Sequence, residues 1–470
     1  MDLSASGILQ AGCRVDGLAR AILYARVRMR DLEIAIVGGG AAGLAAAAAL
    51  VEAGLRPTVL EARGRLGGRV WTEHVRGVPL PLELGAEFIH GDAPRTRALL
   101  ADAGAVAVDL SGEHWRWIAR RGRAEPGGPR REPFSRGIDR VLRGTDRLRD
   151  DLSVAELLAR RRRRGASPAE LSAARAFVEG FHAADAADIG VRGIAAEPGE
   201  SPTLAAARSA RVDGGYDAVE RHLARALPDV RLRHAVSAID WRRGGAVLSC
   251  DADSRPTSLR ARAVLVTVPI GVLQAGERGG LALRPTPPAL RRALETVAMG
   301  AVARLVLWFR ELPWQGHPLA ERLRGLSFLH LARGPFPVWW TPYPALAPLL
   351  VAWCGGPAAR HLAGRSRPEI ERLALAALAA GLGVRRRRLE GLLERSWMHD
   401  WTSDPWSRGA YSYARVGGAG AARALARSHG GTLFLAGEAT DTEGATGTVE
   451  GALASGARAA RQIARALARA

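Results

Sequence analysis

The feature that most narrows the folds open to this chain is the hexapeptide Gly38-Gly39-Gly40-Ala41-Ala42-Gly43, entered straight from the short apolar run Glu33 to Val37. A buried parallel strand is expected over that run. Gly38, Gly40 and Gly43 then fill the three glycine positions of a dinucleotide-binding turn: a tight bend, close approach of backbone to a pyrophosphate, and contact between helix and strand. A helix is expected from Ala41 to Ala53, with Ala42 in its first turn, Leu44, Ala47, Ala48 and Val51 on one face and Gly54 as its stop. The start of such a helix offers free N–H groups and a partial positive charge to phosphates. A second strand over Pro57 to Leu60 ends at Glu61, about 20 residues beyond the glycines, where a carboxylate accepts hydrogen bonds from an adenosine ribose. A glycine-rich turn in an ordinary α/β fold is the alternative, and it has no need of Glu61.

Composition sets outer bounds. A chain of 470 residues, 47% of them hydrophobic, can bury a sizeable core, and its length suggests two or three domains. No apolar run is long enough to span a bilayer and the start lacks the order of a signal peptide, so a cytoplasmic protein with no transmembrane anchor is expected. Cys13, Cys250 and Cys354 lie far apart, which points to ordinary thiols and to no metal site. The net charge of +20 invites a nucleic-acid reading. Yet the sequence holds no lysine and is rich in alanine, the mark of a coding bias towards arginine. The runs Arg160 to Arg164 and Arg385 to Arg388 lack interleaved aromatics and are expected as solvated helix faces, with no specific nucleic acid as partner. Residues 1–28 precede a natural-looking start at Met29. They are expected to be a disordered extension or a misassigned start; a basic amphipathic helix over Leu18 to Arg30, lying on a membrane surface, is the alternative.

Beyond the ribose-binding acid, Glu61-Ala62-Arg63-Gly64-Arg65-Leu66-Gly67-Gly68-Arg69 sets arginines on glycine turns beside the pyrophosphate. That suits a large, permanently bound anion, FAD rather than NAD. The stretch resembles the E-A-R-D-R-x-G-G-R signature of the flavin-containing amine oxidase family, with Gly64 in place of the acid. Leu84-Gly85-Ala86-Glu87-Phe88-Ile89-His90-Gly91 is similar to that family's G-A-x-W-I-H-G turn, which passes along the flavin ring. At the far end, Leu433 to Glu438 is similar to a strand ending in F-A-G-E; the resemblance implies that Gly437 and Glu438 hold the ribityl and pyrophosphate region. Gly447-Thr448-Val449-Glu450 then opens a helix running towards Leu467. By resemblance its N-terminus points at the flavin pyrimidine edge, where its dipole stabilises negative charge. Val236 to Asp240 and Ala263 to Leu273 are expected as strands ending in a Pro-Gly turn at Pro269; the second is similar to V-T-V-P-L-G-V-L, and Val236 sits where a backbone contact to adenine is implied.

The family resemblance thus implies an α/β protein: a Rossmann-like, glutathione-reductase-like FAD domain (29–95, 206–285, 426–470) interleaved with an α+β substrate domain (96–205, 286–425).

Amine oxidation moves a hydride equivalent off the carbon bearing nitrogen, so it needs a dry, aromatic-walled slot and an amine that has lost its proton. The segment Trp401-Thr402-Ser403-Asp404-Pro405-Trp406-Ser407-Arg408-Gly409-Ala410-Tyr411-Ser412-Tyr413 closely resembles the W-x-x-D-P-W-x-R-G-S-Y-S-Y of lysine-specific histone demethylases and polyamine oxidases. This likeness implies Tyr411 as one wall of an amine cage, Thr448 at the place of the second wall, and Trp401 and Trp406 beside them; simple core aromatics are the alternative. Monoamine oxidases attach FAD through a cysteine just before the cage tyrosine. Ala410 stands there, so FAD is expected to be held non-covalently. Met299 to Phe309 aligns with a family strand whose lysine holds a water against flavin N5, and here the residue is Arg304. A guanidinium can hold a water but cannot act as a base; coding bias and a real change of chemistry both remain as accounts. His90 is either structural or, as in polyamine oxidases of the W-I-H-G type, faces the substrate channel and senses or relays the amine's proton. Glu87 either pairs a substrate cation or lies against the flavin, and Trp339 and Trp340 are channel walls or core.

The expectation is an FAD-dependent amine oxidase acting on a small-molecule amine, giving an imine that hydrolyses to an aldehyde or ketone, with dioxygen reduced to hydrogen peroxide. Two alternatives stay open: a desaturase or protoporphyrinogen-oxidase-like enzyme on the same cofactor fold, and a catalytically weakened flavoprotein serving as a binding module, hinted at by Arg304 and the basic surface. The motifs leave open which amine is used and whether the chain is a monomer or a homodimer.

Overall fold

The computed structural model describes residues 30–469 apart from 111–112, 119–122, 128–132, 146–147, 196–207, 317–319, 322 and 332–333. The expectations for residues 1–28, for Leu18 to Arg30 and for Cys13 lie outside the described residues.

Strand Arg30–Val37 sits at the centre of the first sheet, parallel to Pro57–Leu60 on one side and Arg255–Val266 on the other. Its side chains alternate, as a pleated strand requires: Ile34 and Ile36 enter one apolar layer, Ala35 and Val37 the opposite one. Both faces are therefore covered, which explains a near-continuous apolar run. The order across the sheet is Val230–Arg231, Pro57–Leu60, Arg30–Val37, Arg255–Val266, Gly245–Ala252, His234–Arg242, Ala282–Arg284, and Leu433–Leu435 adds to Arg255–Val266 in parallel. The final helix, Val449–Leu467, lies on the first, Ala41–Glu52. A Cβ on Gly456 would come 2.3 Å from the Ala42 carbonyl oxygen, so the two helices meet backbone to backbone.

The second sheet runs in the order Leu393–Trp397, Val302–Phe309, Leu349–Gly355, Val338–Trp340, Leu326–Leu331, Glu113–Ile118, Arg123–Gly127. One face packs with helix Arg367–Leu382 and takes Leu305, Leu307, Phe309 and Trp339; the other meets Val78, Leu82 and Leu84 and takes Val306 and Trp340. By the same two-residue period, Arg304 shares the face of Val306. Three further helices, Pro133–Leu142, Val154–Arg163 and Pro168–Phe181, share a third core. The last two begin with capping boxes, Ser153 with Glu156 and Ser167 with Glu170.

Two sequence expectations change in detail. The strand expected over Ala263 to Leu273 stops at Val266, and Ile270–Ala275 is a short helix with Pro269 as its N-cap. Pro269 has no N–H to continue a ladder, and the Thr267 hydroxyl bonds the Val37 and Gly38 carbonyls at 3.0 and 2.9 Å, turning the chain at the glycine bend. Met299 to Phe309 splits into Val297–Met299 and Val302–Phe309 around Gly300, where a side chain would collide with Ala183. The arginine runs are largely solvated: Arg160, Arg162 to Arg164 and Arg385 to Arg388 are exposed, the first run at a helix C-terminus where cations are favoured, while Arg161 is half-buried and donates to the carbonyls of Val141 and Arg143. Cys250 and Cys354 are free, buried thiols, both pushed up to about 12 by burial. Among the described residues no helix is long and apolar enough to cross a membrane, and no cluster of metal-ligating side chains occurs.

Candidate active site

A cavity of about 1730 Å³ joins the glycine bend of the first sheet to the inner face of the second. Pockets for single drug-sized ligands measure roughly 300–1,000 Å³, so this cavity has room for a dinucleotide and a second molecule together.

Its first end is made of backbone. Gly38 has φ +114°, and a Cβ there would lie 2.7 Å from Thr267 Oγ1. A Cβ on Gly43 would sit 2.0 Å from the Gly38 carbonyl oxygen, so the helix packs on the bend only with glycine. Gly40 and Gly68 meet backbone to backbone, a Cβ on Gly68 falling 3.4 Å from Gly40 Cα, and Gly40 is bridged to Gly67. Gly40 caps the helix start without any side-chain bond, leaving the first-turn N–H groups of Ala41 and Ala42 to the cavity they line. Glu61 is buried at its rim; its carboxylate accepts from Gly39 N at 2.7 Å and Arg63 N at 2.8 Å. Val236, at an irregularity in strand pairing, Ala62, Pro269 and Val449 complete the wall.

The signature arginines brace the site, and Arg63 and Arg69 also line the cavity. Arg63 grips Asp404 with both fork nitrogens, at 2.9 and 3.0 Å, and Asp404 also takes His399 at 2.6 Å. Burial opposes ionisation of Asp404, yet His399 and Arg63 hold its carboxyl far below the usual range. Arg65 donates to the carbonyls of Leu66, Val70 and Gly68 and lies over the Trp71 ring at 4.1 Å, fixing the Gly67-Gly68 turn. Arg69 donates to Ala410 O and to Glu438, both at 2.8 Å. Glu438 also accepts from the Ser412 hydroxyl at 2.6 Å, from Ser412 N and from Gly447 N. It thereby ties the first glycine turns to the Tyr411 segment and the start of the last helix, which follows Gly437 and its φ of +132°.

The second end is aromatic. Tyr411 is fixed by its hydroxyl, which donates to Phe181 O at 2.7 Å, and burial raises its phenol above the ordinary value. Gly447 lies against its ring. Thr448 lines the cavity but spends its hydroxyl on capping the last helix, accepting from Gly451 N and donating to Ala445 O. Trp401 is buried, donates to Leu84 O at 2.8 Å and stacks edge-on with Trp71 and His399, while Trp406, 37% exposed, stands at the rim. Phe88, Phe177, Phe181, Phe328, Trp340 and Trp353 form the remaining walls. His90 bonds Ser209 and meets Phe181 edge-on; burial pulls it down to about 4, and likewise His114, stacked on Phe328, and His182. Trp339, by contrast, belongs to the opposite face of its strand and is core.

Between the two ends lies a buried charge cluster that the motifs did not reveal. Arg304, only 5% exposed, donates to Gly85 O at 2.7 Å and to one oxygen of Glu87; Arg211 donates to the other at 2.7 Å, and Trp340 Nε1 to both. Burial disfavours the Glu87 carboxylate, but Arg304 and Arg211 together hold it below its ordinary value. Arg304 Nε is buried and is the one nitrogen of this guanidinium with no hydrogen-bond partner in the protein. Gly85 and Ala86 pass directly along the cavity beside it.

The sequence of Flavin containing amine oxidoreductases matches this chain over residues 41–464. Human lysine-specific histone demethylase 2 is 28% identical over 92% of this chain and 53% of its own length, and Arabidopsis thaliana polyamine oxidase 2 is 27% identical over 93% and 88%. The chain thus spans about half the length of the demethylase and most of the polyamine oxidase. Among solved structures, putrescine oxidase with putrescine bound superposes with a TM-score of 0.75 at 24% identity, covering 93% of this chain and 99% of that one. With a glycine-built cradle, an uncapped helix start and a buried ribose-side acid all fitting a dinucleotide, the chain belongs to the flavin-containing amine oxidoreductase family and its cofactor is FAD.

Proposed function

We propose that the protein is an FAD-dependent amine oxidase that removes a hydride equivalent from the carbon beside an amine nitrogen. The imine product hydrolyses to an aldehyde or ketone, and dioxygen is the final acceptor, giving hydrogen peroxide. The observation that carries this reading is the continuity of one cavity from the Gly40 helix start to a slot walled by Tyr411, Phe88, Phe181, Phe328 and Trp340. FAD, when bound, supplies the hydride acceptor. Gly38, Gly40, Ala42, Gly43, Glu61 and the Gly67-Gly68 turn would hold its dinucleotide part, and Gly85 to Glu87, Tyr411 and the Gly447-Thr448 turn would border its ring. Similarity to polyamine oxidases along most of both chains supports the reaction class.

The wall chemistry says in which form the amine reacts. An ammonium has no lone pair to assist loss of hydride, so the substrate must be neutral. His90 lines the slot, but at about 4 it is far too weak a base to strip an ammonium, and Arg304 cannot act as one. The proton-relay reading of His90 therefore gives way to selection: a dry slot admits the amine after it has shed its proton to water. Below the amine's own pKa the rate of flavin reduction at limiting substrate rises about tenfold per pH unit, and the profile moves with the amine rather than with the enzyme.

The test is anaerobic mixing of the FAD-loaded protein with a panel of amines, followed by admission of oxygen with a peroxide readout. Bleaching of the flavin by an amine and recovery of colour with stoichiometric peroxide are expected. A flavin that keeps its colour with every amine and bleaches with a CH–CH donor would return the desaturase alternative instead.

A further inference from the structure

The walls of the substrate slot are short of negative charge, and this bears on which amines enter. Glu87 is the carboxylate most deeply placed there, and all its capacity is taken: Arg304, Arg211 and Trp340 donate to it. The trio carries one net positive charge. Arg211 cannot swing away, because its two terminal nitrogens donate to Tyr343 O at 2.8 Å and Thr341 O at 2.9 Å. Glu83, the next acid inward, accepts from Tyr216 N and the Thr72 hydroxyl, and burial pushes it up to about 8, so it stays protonated at neutral pH. Of the outer acids, Asp92 is paired with Arg208 and Asp139 has a partner of its own. His90, His114 and His182 are uncharged. Aromatic faces can hold a cation, but Arg211 lies 4.9 Å from the Phe88 ring and Arg304 5.5 Å from that of Trp340, so those faces are already occupied.

Resting on the amine-oxidase reading above, we propose that the slot is built for an amine with a single nitrogen on an aromatic or aliphatic body, and that Glu87, locked between Arg211 and Arg304, excludes di- and polyamines. Once the reacting nitrogen is neutral, a monoamine brings no charge into the slot. A diamine or polyamine still carries at least one ammonium, which would lie beside a net cation with no free carboxylate to meet it. An amino acid fares little better, since its carboxylate calls for an arginine fork: all three nitrogens of Arg211 are engaged, and both terminal nitrogens of Arg304 already donate, leaving its Nε alone without a partner.

The experiment compares 2-phenylethylamine, putrescine, spermidine and L-phenylalanine on the FAD-loaded protein, by anaerobic flavin reduction and by equilibrium binding followed through the flavin spectrum. Phenylethylamine should exceed putrescine and spermidine at least 100-fold in reduction rate at limiting substrate, with the same order in binding. Polyamines or phenylalanine equal to or better than phenylethylamine would overturn the proposal. If no amine reduces the flavin, the reaction assignment falls, while binding still decides selectivity. Arg211→Gln, and Arg304→Gln as a second variant should the first fail to fold, should release Glu87 and raise putrescine relative to phenylethylamine at least tenfold; a ratio unmoved in both would overturn Glu87's role.

Discussion

The two ends of one cavity are built by opposite means. At the cofactor end the contacts belong to backbone: glycines whose missing Cβ atoms make room, and helix N–H groups left uncapped. At the substrate end they belong to side chains drawn from many strands, with a buried ion cluster at the join. A backbone site tolerates no added atom but is indifferent to pH; a side-chain site tolerates changes of shape and is sensitive to charge. That contrast orders what mutation should do.

The sharpest break is Gly43→Val. Its Cβ would fall 2.0 Å from the Gly38 carbonyl, so the helix must leave the bend; FAD affinity should drop by more than roughly 100-fold, about 2.7 kcal/mol, seen as colourless protein by absorbance. The opposite end should answer to acid. Each of His90, His114 and His182 sits near 4 when folded, below the ordinary 6.5, so as pH falls the unfolded chain takes up protons first. Their contribution is full above about 6.5 and drains away down through about 4, on the order of 2 kcal/mol each by pH 5. Replacing His90 and His182 by phenylalanine should flatten a plot of Tm against pH over that window; an unchanged slope would contradict it.

Glu87→Gln leaves the buried Arg304 and half-buried Arg211 without their shared counter-charge and should cost about 3–5 kcal/mol of stability, measured by calorimetry on protein that still binds FAD. Loss of FAD at the same time would show that the two ends are not separable. Tyr411→Phe removes one bond, to Phe181 O, worth about 1 kcal/mol; KM for amine should rise a few-fold with FAD content unchanged. Arg304→Lys tests the smallest difference: if the guanidinium's committed fork slows reoxidation, the lysine variant should form peroxide faster, and equal oxygen rates would remove that idea.

The same contrast governs what could be read from the chain before it was folded. Strand, glycines, helix and Glu61 follow each other within a few dozen residues, and each position is dictated by a local need: a positive φ, a close approach, a two- or 3.6-residue period. Only edges shifted, as where Pro269 starts a helix instead of prolonging a strand. The ion cluster has no such signal, because Arg211 and Arg304 meet Glu87 across 124 and 217 positions. Among sixty-seven arginines Arg304 stood out by its place in the family strand, but nothing marked Arg211 or joined either of them to Glu87. His114 and Phe328 likewise meet only through strand pairing of Glu113–Ile118 with Leu326–Leu331. Phe177 and Phe181, four apart on one helix face, stack at 5.3 Å; a pair so spaced looks the same in a sequence whether it walls a cavity or fills a core.

The seating of Gly456 on the Ala42 carbonyl also makes two distant stretches of chain answer for one another. A methyl at position 456 would push helix Val449–Leu467 off the first turn of Ala41–Glu52, so a change far along the sequence from the glycine bend would loosen the same cradle.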